Sequence, residues 1–287
     1  MSSRVPPPPP LSSAGGSRLG PPLLERDLDA LEQEVMPRYL SSFVAIATNM
    51  LVPSTPASVV VVGSRAGVEA PLIAERLPEA SLKGLELSDV SMRRAIARGG
   101  PLAASFEILR GPPTKLPDRG FTHALAIHPM CVRPTRRELL VDMRRLLVEG
   151  GQGVLALPLR GSFPEIVDMI REYALQKDLP KLAESVEIGA ANRPTPETIS
   201  DELEAAGFTD VEVDVQLLGV RFASGREFVQ HPVFELMVAP DTRAALDMAP
   251  AVATDALAYA RAAILKYWSE GEFELTVNLA AASGRRP

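Results

Sequence analysis

From Leu23 onward apolar residues recur at helical spacing: Leu24, Leu28, Leu31 and Val35, then, beyond Pro37, Leu40, Phe43, Val44, Ala47 and Leu51. This period predicts two helices ahead of the first strand, with the proline as the break between them. Pro53 and Pro56 mark a loop, after which Ser58 to Val62 is a nearly continuous β-branched run. A strand whose two faces are both covered has this composition, because neither set of alternating side chains meets water. Downstream the two periods alternate. Helical spacing over 70–77, 91–98 and 136–148 separates strand-like runs at 81–87, 106–110, 122–128 and 153–158. The alternation predicts parallel strands joined by right-handed crossovers, with any ligand lying outside the strand carboxyl ends. Further helices are expected at 163–176, 198–206, 228–236 and 254–268, and further strands at 211–222 and 273–282.

Residues 1–22 follow a different rule. Pro6 to Pro10, then Ser12, Ser13, Gly15, Gly16, Ser17, Gly20, Pro21 and Pro22, offer too little apolar surface to fold, so a disordered tail is expected there. Residues 23–287 are expected to form one domain with helical additions near 23–51, 163–198 and 226–268. Composition narrows the setting further. A net charge of −6 argues against a nucleic-acid surface, and no apolar run approaches the ~20 residues that span a bilayer. Neither nucleic acid nor membrane is an expected partner. The proline run replaces the apolar stretch of a signal peptide, and the single cysteine, Cys131, suits a reducing compartment, so a cytoplasmic location is expected.

The candidate chemistry lies at the first two strand ends. A strand closing on Gly63, a loop to Gly67, a helix, and Glu86 at the end of the next strand form a nucleotide-cradling order. Glycine lets backbone approach a ligand, a helix start offers free N–H groups, and a carboxylate accepts from ribose hydroxyls. In Val59-Val60-Val61-Val62-Gly63-Ser64-Arg65-Ala66-Gly67 and Leu82-Lys83-Gly84-Leu85-Glu86-Leu87-Ser88 the chain resembles the class I S-adenosylmethionine-dependent methyltransferases that act on small molecules. The helix, double-glycine turn and strand of 146–155 and the Leu203-Glu204-Ala205-Ala206-Gly207-Phe208 segment extend the resemblance over about residues 38–283. It implies a doubly wound α/β fold with a mostly parallel seven-stranded sheet and an antiparallel last strand. It also implies S-adenosylmethionine as cofactor, held by Gly63, Ser64, Arg65, Gly67, Glu86, Leu87, Gly111 and Pro112.

Three positions depart from that family. Val61 stands where the family has an acid, Arg65 where it has the central glycine of the loop, and Gly111-Pro112-Pro113 where it offers groups to the adenine. Arg65 adds a Cβ where φ > 0 is expected and a cation beside a cationic cofactor. Losing two or three hydrogen bonds of this kind weakens binding by about a thousandfold. Two functions therefore stand side by side: a divergent methyltransferase with a small-molecule acceptor, and a non-catalytic descendant that binds a protein or metabolite through the old cleft. For the first, His128, at the carboxyl end of the fourth strand, is the candidate base. Arg160, Phe163 and Arg193 lie where an acceptor pocket is expected, while Arg133, Arg136, Arg137, Arg144 and Arg145 read as a solvated basic face. His123, His231 and Cys131 are scattered and form no metal-ligand pattern.

Overall fold

The computed structural model describes residues 18–98, 103–109, 111–246 and 248–287. The chain opens with α1 (Glu25–Ala30), a π-helical stretch (Leu31–Leu40) and α2 (Ser41–Asn49). Pro37 does not separate two helices as expected. It sits inside a wider helical turn, where the missing N–H and the ring are accommodated without a break. There follow β1 (Ser58–Ser64), α3 (Ala70–Arg76), β2 (Ser81–Glu86), α4 (Asp89–Arg98), β3 (Ala103–Ile108), β4 (Phe121–Ile127), α5 (Arg133–Leu146) and β5 (Leu147–Pro158). Helices α6 (Pro164–Gln176), α7 (Pro180–Asn192) and α8 (Pro196–Ala205) precede β6 (Thr209–Phe222). Helix α9 (Gly225–Gln230), a π-helical turn (Phe234–Val238), α10 (Ala239–Leu246) and α11 (Pro250–Tyr267) lead to β7 (Phe273–Arg285).

The seven strands lie in the order β3-β2-β1-β4-β5-β7-β6, with β7 antiparallel to both neighbours and the rest parallel. This is the doubly wound sheet the sequence predicts. β1 is flanked by β2 and β4, so the crossovers diverge there and a crevice opens at the carboxyl ends of β1 and β4. The valine run shows why this strand is central. Val59 and Val61 enter the core built on α2, α3, α6 and the late helices, while Val60 and Val62 enter the opposite core built on α5 and α8.

Two expectations change in the assembled fold. Residues 1–17 of the expected tail lie outside the described residues, but Arg18–Pro22 do not behave as tail: Leu19 is 1% exposed. It belongs to the core that also holds Val60 and Val62 of β1, Leu85 of β2 and Ala124 and Ala126 of β4, none of them near in sequence. The basic face on α5 is likewise not simply solvated. Arg136 is buried against the fully buried Glu202 of α8, with Nε to Oε2 at 2.7 Å and Nη2 to Oε1 at 3.0 Å, and Arg133 reaches the same carboxylate at 2.8 Å. Two packed helices exclude water here, so each cation must be met by an acceptor.

Close packing also fixes β5. A Cβ on Gly153 would lie 2.7 Å from Cε1 of Phe208, whose ring is itself buried. Gly153→Ala is therefore expected to lower the unfolding free energy by about 1–3 kcal/mol in urea titrations. An unchanged midpoint would show that the Phe208 ring yields.

Candidate functional site

The loop after β1 is shaped by three residues with positive φ: Gly63 at 83°, Ala66 at 56° and Gly67 at 63°. The left-handed position expected at Arg65 falls one residue later, on Ala66, and this turns the Arg65 side chain inward. Glu86, on the neighbouring strand, faces the same loop. Its Oε1 accepts from Ser64 Oγ at 2.7 Å and from the Gly67 N–H at 3.0 Å, and its Oε2 accepts from the Ala66 N–H at 2.7 Å. The carboxyl is wholly buried and consumed by its own loop. Burial and the nearby Glu69 charge push its pKa up to about 6, against the hydrogen bonds from Ser64, Ala66 and Ser91.

Arg65 spans the crevice. Its Nη1 donates to the Ile127 carbonyl at 2.9 Å and its Nη2 to the His128 carbonyl at 2.7 Å, and the residue is 6% exposed. Burial draws the guanidinium pKa down and the charges of Glu69 and Glu86 oppose this, but an arginine stays protonated in a protein. The switch point between β1 and β4 is thus bridged by a fixed cation. Over it runs the segment from Arg18 to Leu23. The Leu19 carbonyl accepts from the Met130 N–H at 3.0 Å, and the Leu23 carbonyl from Ser88 Oγ at 3.1 Å. A Cβ on Gly63 would meet Leu19 Cδ1 at 3.7 Å and Leu87 Cδ2 at 4.0 Å.

On the β4 side, His128 has φ 49°, which a non-glycine residue holds only where its surroundings impose it. Its Nε2 lies 2.8 Å from the Tyr39 hydroxyl, and the rings of Phe43 and Tyr39 stand 4.7 Å and 5.4 Å away. The imidazole is fully buried, its Nδ1 has no partner among the described residues, and burial drives its pKa down to about 4. It is therefore neutral at pH 7 and retains unused hydrogen-bonding capacity. Nearby, Arg193 pairs with Asp241 in a buried ion pair and stacks 5.0 Å over the ring of Phe163. Cys131 lines a narrow cleft with Arg136 and Asp241, and burial pushes its thiol up to about 12, which leaves it unreactive at neutral pH.

The structure therefore brings Gly63, Ser64, Arg65, Gly67, Glu86, Leu87 and His128 to one end of the sheet. Gly111 and Pro112 form a buried turn after β3, and among the described residues no hydrogen bond links them to this set. His123 bonds Thr122 and the Val52 carbonyl at the amino end of β4, and His231 lines a surface groove with Glu34 and Arg38. Sequence reasoning missed Tyr39 and Leu19. Tyr39 and Phe43 are spaced i, i+4 and announce a buried helix face, but nothing local names the histidine they meet.

S-adenosylmethionine does not fit this cleft as it stands. The acid that would receive ribose hydroxyls is buried and already accepts three hydrogen bonds from its own loop, the strand-end carbonyls hold Arg65, and Leu19 covers Gly63. Among the described residues no group of three or more His, Cys, Asp or Glu side chains is placed to hold a metal ion, and no helix is long and apolar enough to cross a membrane.

No protein-family model matches the chain, and no curated protein matches it in sequence. Solved structures do match. Phosphoethanolamine N-methyltransferase 2 of Haemonchus contortus, in complex with S-adenosyl-L-methionine, superposes with a TM-score of 0.56 at 15% identity, covering 92% of this chain and 57% of that one. The same enzyme with phosphomonomethylethanolamine and S-adenosylhomocysteine gives 0.54 at 13% identity, over 92% of this chain and 58% of that one. A Bacillus halodurans protein described as a putative methyltransferase gives 0.52 at 13% identity, over 86% and 99%. The chain thus spans just over half the length of the Haemonchus enzyme, and these likenesses bear on the fold.

The two titrating groups of the cleft act in opposite directions on stability. Glu86 has a folded pKa above its unfolded value of 4.5, so its contribution is present below pH 4.5 and lost as pH rises to about 6, about 2 kcal/mol in all. His128 has a folded pKa below 6.5, so its contribution is present above pH 6.5 and lost as pH falls to about 4, about 3 kcal/mol. Between pH 4.5 and 6 these two contributions nearly cancel, while His123 and His231, lowered by burial, and Glu165, raised by burial, add slopes of their own. Relative to the intact protein, His128→Asn, which tolerates the left-handed backbone, should lose about 2 kcal/mol as pH rises across that window in urea unfolding. A difference between the two proteins that stays constant with pH would show that His128 does not titrate there with a lowered pKa.

Proposed function

We propose that this chain, which has the class I methyltransferase fold, is a non-catalytic binding protein whose cofactor cleft is closed by its own side chains. One observation carries this: the Arg65 guanidinium, buried and bonded to the carbonyls of Ile127 and His128, lies across the crevice where the fold takes its ligand. A sulfonium cofactor brought there would face a fixed cation in a water-poor site, which disfavours binding on charge as well as on volume. The departures Val61 and Pro112 lead the same way. Loss of chemistry with retention of the sheet is physically unremarkable, because the core residues that hold the strands are not those that hold a ligand.

A second reading, a divergent methyltransferase with a small-molecule acceptor, is favoured by one arrangement. Tyr39 and His128 form a buried pair with a neutral imidazole, and such a pair can accept a proton from an acceptor hydroxyl or amine. On this reading S-adenosylmethionine would supply the methyl group. Tyr39→Phe and His128→Asn would then each lower turnover by about a hundredfold or more.

Calorimetric titration separates the two. The intact chain is expected to bind neither S-adenosylmethionine nor S-adenosylhomocysteine at millimolar concentration, and Arg65→Gly with Val61→Asp is expected to gain measurable affinity. Micromolar binding by the intact chain, lost in Glu86→Ala, would reverse the conclusion in favour of the enzyme.

A further inference from the structure

The segment before α1 crosses the carboxyl end of the sheet from one face to the other. Leu19 is buried in the core formed with Val60, Val62, Leu85, Leu87 and Leu109, and Leu23 in the core on the opposite face. Between them lies Gly20, at φ 148°, where a Cβ would meet Leu87 Cδ1 at 3.4 Å, Arg65 Nη2 at 3.6 Å and Met130 Sδ at 3.8 Å, and Pro21 and Pro22 are exposed. The segment thus sits across the strand ends at which an open α/β sheet takes ligands.

We propose that Arg18–Leu23 is a cis-acting plug, with Leu19 as its stopper over Gly63 and Leu87, whose release uncovers the ligand-facing end of the sheet. The inference rests on the closed-cleft reading and adds that the closure has two separable parts. Arg65 is part of the loop that it closes and is tied to two carbonyls within the fold. The plug, by contrast, joins no strand of the sheet. Its described anchors include the Met130 and Ser88 hydrogen bonds, the burial of Leu19 and Leu23, a hydrogen bond from Arg18 Nη2 to Thr135 Oγ1 at 3.0 Å, and the pair of Arg18 with Glu138, whose side chains are 43% and 46% exposed. Exposed pairs of this kind hold weakly. Pro21 and Pro22 have no N–H to donate. Beside the segment lies a cavity of about 400 Å³, lined by Pro21, Pro22, Leu23, Arg65, Met130 and Pro240, into which it can shift. A segment that pairs with no strand, lying over a tightly built floor, opens at lower cost than the sheet beneath it.

The plug taxes any ligand by the fraction of time the seat is open, so removing it should tighten binding by the reciprocal of that fraction. The test compares the intact chain with Leu19→Asp and with a chain lacking residues 1–20, each confirmed folded by its urea midpoint. Adenosine and S-adenosylhomocysteine serve as probes in calorimetry, and hydrogen exchange is followed at the Met130 amide. The expected result is exchange at Met130 faster by about tenfold or more, together with adenosine binding about tenfold tighter than in the intact chain. Unchanged adenosine affinity in both folded variants overturns the plug, whether or not Met130 exchanges faster, and leaves the closed-cleft reading standing. Micromolar S-adenosylmethionine binding by the intact chain overturns the closed-cleft reading instead, and the plug with it.

Discussion

A guanidinium does not give up its proton, so once Arg65 is turned inward by the left-handed Ala66 it must find acceptors where it lies. It finds the last carbonyl of β4 and the one after it. Both groups would otherwise face the crevice, and each solves the other's problem. The arrangement fastens the loop after β1 to the end of β4 across the one point where the topology opens the sheet. A buried cation without such partners would cost several kcal/mol, so the loop and the strand end move together or not at all. The closing of the crevice between β1 and β4 follows from this bridge.

Glu86 follows the same logic with opposite sign. In a cleft built for a ligand, the acid at the end of β2 keeps acceptor capacity for the visitor. Here three donors from Ser64, Ala66 and Gly67 take it up. The neighbouring Glu69 keeps one carboxylate oxygen without a partner among the described residues, and its charge adds to burial in raising the pKa of Glu86. On the β4 side the Tyr39–His128 pair keeps a nitrogen unpaired among the described residues, in a buried, aromatic environment. A buried group left in that state is where polar chemistry would be sought if the cleft opened.

The closed cleft and the methyltransferase sheet do not conflict. Strand order and crossovers are held by two extensive apolar cores, one on each face, and these involve few residues of the loop. A handful of substitutions at the carboxyl ends can redirect the site while the sheet keeps its packing. The match to solved methyltransferases at 13–15% identity is a likeness of fold.

Sequence alone determined the sheet. The valine run of β1, the alternation of periods, and the glycines at 63, 67 and 207 are local signals, because a strand covered on both faces and a helix end each leave their mark on consecutive residues, whereas Gly150, expected to stop a helix, lies within β5. It also placed Gly63, Arg65, Glu86 and His128 at strand ends, and from the valine and arginine substitutions it raised doubt about the cofactor. What it could not decide was direction and partnership. Whether Arg65 pointed in or out turned on a φ angle one residue away. Whether Leu19 was tail or core, and whether Tyr39 met a histidine, turned on contacts between segments about 40 to 110 residues apart in the chain. Whether Arg136 faced water or the Glu202 of another helix was open for the same reason. Periodicity records the face a residue presents, whereas the identity of what it faces is settled only when the helices and strands pack.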